Sequence, residues 1–153
     1  MRQIVLLSVV ASLAGCMTAT GHLYPVQGPL AAQTPPPIQT LALTGAPALG
    51  GQITQGDIKA TLLDGQACQG HWTMVNQNDP SANALSAQWD SLYGGGFFTA
   101  NVLGNQSFAR STVACSRGRS LQLEWIAISK GIATDNNGNL FKLTFGDVVL
   151  PQH

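Results

Sequence analysis

The chain has 153 residues, 44% hydrophobic and 9% charged, with seven basic residues balanced by seven acidic ones. That length makes one domain with enough chain to bury a single core. A formal charge of zero lacks the clearly basic balance that suggests an electrostatic surface for nucleic acid, so no nucleic-acid partner is expected. Arg110, Arg117 and Arg119 form the one local cluster of basic residues and read as solvated strand ends and turn residues.

At the start, Arg2 precedes an apolar run from Ile4 to Gly15 that contains Ser8 and Ser12. A helix that spans a bilayer takes about 20 apolar residues. The run therefore suits the hydrophobic part of an export signal better than a membrane span. It closes on Leu13-Ala14-Gly15-Cys16, which resembles the lipobox of bacterial lipoprotein precursors. The resemblance implies removal of residues 1–15 as a lipoprotein signal peptide, diacylation of the Cys16 thiol, and often a third acyl chain on the new amino terminus. Membrane lipid, reached through acylated Cys16, is then the first partner. One acyl chain holds a protein only marginally, whereas two or more hold it stably. Met17 stands where, in lipoproteins of enteric-type bacteria, Asp favours retention in the inner membrane. The resemblance thus implies the outer membrane of the envelope, facing the periplasm.

Residues 16–38 read as a lipidated amino terminus followed by a tether, and residues 39–153 as a single β domain. Pro25, Pro29 and Pro35-Pro36-Pro37 disfavour a helix and favour an extended chain. About 20 residues at ~3 Å each would lift the domain some 60 Å off the membrane. Leu23-Tyr24-Pro25-Val26 is more apolar than a spacer needs and would serve as an edge strand, where proline is tolerated. The phrase LYPVQGPL, beginning at Leu23, is similar to the start of some small uncharacterised Gram-negative envelope lipoproteins; the likeness covers that phrase alone and implies no activity.

From Ile38 onward the hydrophobic period is two. Ile58, Ala60 and Leu62 alternate with Lys59 and Thr61, Asp64-Gly65 marks a turn, and Ala67 to Val75 returns. Phe97 to Leu103 and Ser107 to Cys115 read as a second hairpin about Gly104-Asn105. After a turn at Ser116-Arg117-Gly118, the run Ser120 to Ser129 places Leu121, Leu123, Trp125 and Ala127 on a core face. Ile126 and Ile128 suggest that its other face is covered at the far end. Gly131 to Thr134 and Leu140 to Phe145 form the last hairpin, turned by Asp135 to Gly138. The fold expected is mainly β: a small antiparallel meander of about seven or eight strands, closed as a barrel or folded as a sandwich.

Asn76 to Gly96 breaks this pattern and is too long for a featureless loop. Asp79-Pro80 suits a helix start, Leu85, Trp89, Leu92 and Tyr93 share one helical face, and Gly94-Gly95-Gly96 ends it. The expectation is one short helix capping an end of the sheet with Trp89 inward. The alternative is a mobile lid or partner-binding loop.

With Cys16 lipidated, Cys68 and Cys115 remain in an oxidising compartment and are expected to pair. Closing a loop of about 50 residues stabilises by roughly 4 kcal/mol in the chain-entropy model. The alternatives are two buried thiols, or a catalytic cysteine near His71.

No catalytic motif stands out. Asp135, Asn137 and Asn139 have the opening spacing of a calcium loop, but Leu140 stands at its glycine position and Gly146 at its bidentate acid, so a plain Asn-Gly turn is expected. His22, His71 and His153 share no ligand spacing, and neither metal nor cofactor is expected. Glu124 is the only Glu, and no Gly-x-Ser-x-Gly occurs. Trp72, Trp89, Tyr93 and Trp125 are the candidate binding or lid residues; aromatics of a small β domain are more often core. The function expected is a non-enzymatic structural, adaptor or binding role toward an envelope protein or cell-wall partner. The alternative is a module that binds a small apolar ligand or inhibits lysozyme, by analogy of size, anchor and fold.

Overall fold

The computed structural model describes residues 16–48 and 50–151. Eight antiparallel strands follow one another around a closed barrel, and the last pairs with the first. They are β1 (Met17–Gln27), β2 (Gln39–Gly45), β3 (Gln55–Thr61), β4 (Ala67–Met74), β5 (Phe108–Cys115), β6 (Ser120–Ile126), β7 (Lys130–Asp135) and β8 (Leu140–Val149). Closure gives every strand a neighbour on both sides, and an edge is left only where a strand outruns one of them. It also decides between the two expected architectures in favour of the barrel.

Alternation sorts the side chains. Leu41 and Leu43 of β2, Ile58 of β3, Trp72 of β4, Val113 of β5, Leu121, Leu123 and Trp125 of β6, and Phe141 and Leu143 of β8 all point inward and are buried. Their outward neighbours include Thr40, Ala42, Asp57, Lys59, Gln69 and His71. This is the reverse of the lipid-facing apolar band of a transmembrane barrel. An eight-stranded barrel is just wide enough to be filled by its own side chains. Trp72 and Trp125 fill much of it, meeting edge to face with centroids 5.7 Å apart. Room for Trp72 comes from glycine: a Cβ on Gly56 would lie 2.6 Å from its Nε1, and one on Gly45 would lie 3.0 Å from its ring. The indole N–H donates to the Thr44 carbonyl at 2.8 Å.

The proline-rich tether is overturned. Its first part, Met17 to Gln27, is strand β1, paired with both β2 and β8. Met17, Ala19, Gly21, Leu23 and Pro25 alternate into the buried interior. Pro25 is tolerated because it lies past the last β1–β2 partner, Leu23↔Gln39, beside an irregularity in the β1–β8 ladder. The remaining prolines occupy the β1–β2 connection.

Three further expectations change. Phe97 to Leu103 is no strand; Phe98–Val102 is a single π-helical turn whose Phe98 and Val102 are both buried. The helix α1 spans Ser86–Tyr93 only. Asp79 heads a tight turn instead, its carboxylate accepting from the backbone and hydroxyl of Ser81. Finally, α1 does not cap an end. Leu85, Trp89, Phe98 and Val102 pack on Phe108, Ile126 and Ile132, which point outward from β5, β6 and β7. The β4–β5 connection thus wraps the outside of the barrel wall and builds a second, smaller core there. It also covers the outer face of β6, as the Ile126 pattern suggested.

Up-and-down order fixes the two ends. Cys16, the tail after Val149 and the β2–β3, β4–β5 and β6–β7 connections share one end, and the other four connections share the far end. Among the described residues no helix is long and apolar enough to cross a membrane.

Candidate functional site

The residues singled out in the sequence fall into four separate places. Cys16 is a free, exposed thiol immediately before β1. Cys68 and Cys115 are disulfide-bonded, as expected, between directly opposed positions of β4 and β5. Trp72 and Trp125 lie inside the barrel, whereas Trp89 and Tyr93 lie outside it beneath α1. The four aromatics therefore do not line a common pocket.

Beneath α1, Trp89 is fully buried and donates its indole N–H to Glu124 Oε1 at 3.0 Å. Arg110, directly opposite Glu124 across the β5–β6 ladder, donates to Glu124 Oε2 at 2.8 Å. The same guanidinium reaches the Ser81 hydroxyl and carbonyl, and sits 3.5 Å from Asp79. Burial pushes the Glu124 carboxyl above its ordinary range, against the opposing pull of the Arg110 and Trp89 hydrogen bonds. Tyr93 donates to the Gly131 carbonyl at 2.9 Å, and burial raises its hydroxyl pKa. These bonds clamp the insertion to the wall. The site acts as a fastening with its polar groups mutually engaged.

At the far end, burial pushes Asp135 up, but hydrogen bonds from Asn139 and Arg119 outweigh it and hold the carboxyl below its usual range. Arg119 donates to Asp135 at 2.7 Å from a side chain only 9% exposed. The Asp135 and Asn139 spacing is thus spent on turn formation, with Asp135 accepting from the backbones of Asn137 and Asn139. Arg117 donates to the Asp64 carbonyl. Arg117 is thus an exposed turn residue, as expected, whereas Arg110 and Arg119 are partly buried in ion pairs, correcting their reading as solvated.

The outer face of β2 to β5 is the wall that the insertion leaves open. Outward positions there are small or polar: Lys59 lies opposite Gln69, Thr61 opposite Ala67, and Gln69 opposite Ala114. Short side chains leave a shallow depression of about 710 Å³ beside the disulfide, lined by Lys59, Thr61, Ala67, Gln69, Ala114 and Ser116. A smaller one of about 380 Å³ adjoins it at Asp57 and Gly70. His71 Nδ1 is 3.2 Å from Asp57 Oδ1, and Nε2 is 3.4 Å from Gln55 Oε1. The face offers one amine, one carboxylate, amides and hydroxyls over a shape able to seat an extended surface. Among the described residues no cluster of three or more His, Cys, Asp or Glu is placed to hold a metal.

Sequence reasoning missed both the Arg110–Glu124 clamp and the open face. The first was within reach: a hairpin turning at Ser116 to Gly118 sets Arg110 opposite Glu124. The second was not, because which wall the insertion covers is a tertiary outcome. Comparison of the chain with protein-family models, with curated proteins and with solved structures yields no match.

Proposed function

We propose that this chain is a lipoprotein of the bacterial envelope, anchored to the outer membrane through acylated Cys16, with a non-enzymatic structural, adaptor or binding role in the periplasm. The observation that supports it is the filled interior of the barrel. With Trp72, Trp125 and Phe141 fully buried inside, recognition is left to the outer surface, where β2 to β5 present the open polar face. An envelope protein or cell-wall polymer is the class of partner such a face suits.

The decisive experiment is in-cell crosslinking followed by capture of the tagged protein. Wild type retains a reproducible envelope partner, and Lys59→Glu with Gln69→Arg loses it. A repeated absence of any envelope partner overturns the reading. Labelling with a palmitate analogue tests the anchor, with label on wild type and none on Cys16→Ser. The second reading, a module that binds a small apolar ligand or inhibits lysozyme, draws support from the disulfide-stapled small barrel. The packed interior weighs against a ligand held inside. A lysozyme protection assay separates inhibition from adaptor binding.

A further inference from the structure

We propose that the barrel end carrying Cys16 is a membrane-contact face, on which the domain stands directly against the lipid surface. The inference rests on acylation of Cys16 and concerns what that anchor does to the fold.

Strand β1 begins at Met17, so no spacer separates the anchor from the barrel. Met17 is paired with Gly45, and Thr18 with Val149. Acyl chains on Cys16 therefore bring Val149 to within a residue or two of the headgroups. Strand β8 carries on past its last β7 partner, Thr144, and from Phe145 to Val149 only β1 accompanies it. This projecting ribbon ends in Val148, Val149 and Leu150, exposed by 42%, 58% and 59%. The far end exposes Val26, Ile38 and Leu63 as well, so exposure alone does not choose an end; beside the anchor, such side chains are what an interfacial insertion would cover.

At the Cys16 end the connections 46–54 and 127–129 carry no charged residue, but Lys130 follows the second, Asp147 lies in the stretch Phe145 to Leu150, and the β4–β5 insertion carries Asp79 and Asp90. The far end gathers Asp64, Arg117, Arg119 and Asp135 in or beside its connections. Both ends thus carry charge, and acylated Cys16 beside the exposed Val148, Val149 and Leu150 sets which end meets lipid. Strands of seven or eight residues rise ~3.3 Å each and tilt by about 40° in a barrel, which sets the far end roughly 20 Å above the surface. The open face of β2 to β5 then stands as a side wall close to the membrane.

The test uses the full acylated protein in vesicles of phosphatidylethanolamine and phosphatidylglycerol. An environment-sensitive fluorophore is placed at Val149→Cys, at Leu150→Cys beyond the strand in case the first substitution disturbs the β1–β8 ladder, and at Leu63→Cys in the far-end β3–β4 turn. Mass spectrometry establishes acylation of Cys16 in each sample. The expected result is severalfold stronger quenching by spin-labelled lipid at 149 and 150 than at 63, with the order reversed for iodide in the water. Equal iodide quenching at both ends of the acylated protein overturns the membrane-contact face and leaves the anchor standing. Protection at 149 and 150 from iodide and from lipid quencher alike means that a second protein copy covers them, and also overturns it. Absence of the acyl mass overturns the anchor and this inference with it.

Discussion

Arg110 and Glu124 form a charged pair set into the apolar contact between insertion and barrel wall, with the Glu124 side chain 3% exposed. Removing one partner of such a pair leaves an uncompensated charge, whose cost is several kcal/mol. Arg110→Met is expected to lower stability by about 3 kcal/mol near neutral pH. Burial raises the Glu124 pKa, so the folded protein holds that proton to higher pH than the unfolded chain does. The penalty of the unpaired carboxylate therefore appears as pH rises through the interval between the ordinary and the raised value, and is absent below it. Urea unfolding of wild type and variant at about pH 4 and about pH 7.5 checks the sign. An equal loss at both pH values contradicts it. This pairing was legible from hairpin register, although the charge count alone pointed to solvated arginines.

At the scale of elements, the β4–β5 insertion behaves as a strap whose central pin is Trp89. Trp89→Ala removes a fully buried indole together with its bond to Glu124, a loss of about 3–5 kcal/mol for the strap's attachment. The expected outcome is faster proteolytic nicking between 76 and 105. The Cys68–Cys115 bridge spans that segment. The nicked protein therefore keeps its mass until reductant divides it. Loss of the whole barrel's resistance instead would mean that strap and barrel unfold as one. The β6–β7 turn carries a separate cost. Ala127 and Ile128 adopt φ of 53° and 47°, a left-handed conformation costly for residues with a Cβ. Ala127→Gly is expected to stabilise by about 1 kcal/mol, read as a rise in the urea midpoint with an unchanged slope. Helix and hairpins were visible in the sequence because each follows from local periodicity. Phe98 and Val102 read as strand because one turn of helix buries residues four apart, a spacing that alternation also satisfies.

For the whole molecule, closure is what turns a meander into a barrel, and the disulfide ties β4 to β5 at the end opposite their long connection. Replacing Cys68 and Cys115 together by Ser is expected to cost about 2–4 kcal/mol. Thermal unfolding should shift downward while the far-ultraviolet spectrum of the folded state is retained. A variant as stable as wild type would show that the strap and the β4–β5 ladder already restrain that loop. The same closure moved residues 17–27 from expected spacer to first strand, and so placed the anchor site against the barrel.

The amino-acid sequence by itself determined the mainly β class, the hairpins about Asp64-Gly65 and Asp135 to Gly138, the inward Leu121, Leu123 and Trp125 of β6 (Ala127, expected with them, is exposed in the following turn), the short helix with Trp89 buried, and the cysteine pair. These follow from period, turn chemistry and cysteine count, all of them local. Only the tertiary structure decided that the meander closes, that β1 completes it, and that the helix lies outside the wall. It alone also separated Trp72 and Trp125 from Trp89 and Tyr93. The reason is that β1 carries a weak apolar signal, with Ala19, Gly21 and Pro25 among its inward residues. Such small residues gain little from burial alone. They are fixed by the two ladders on either side, β2 and β8, the latter from the opposite end of the chain.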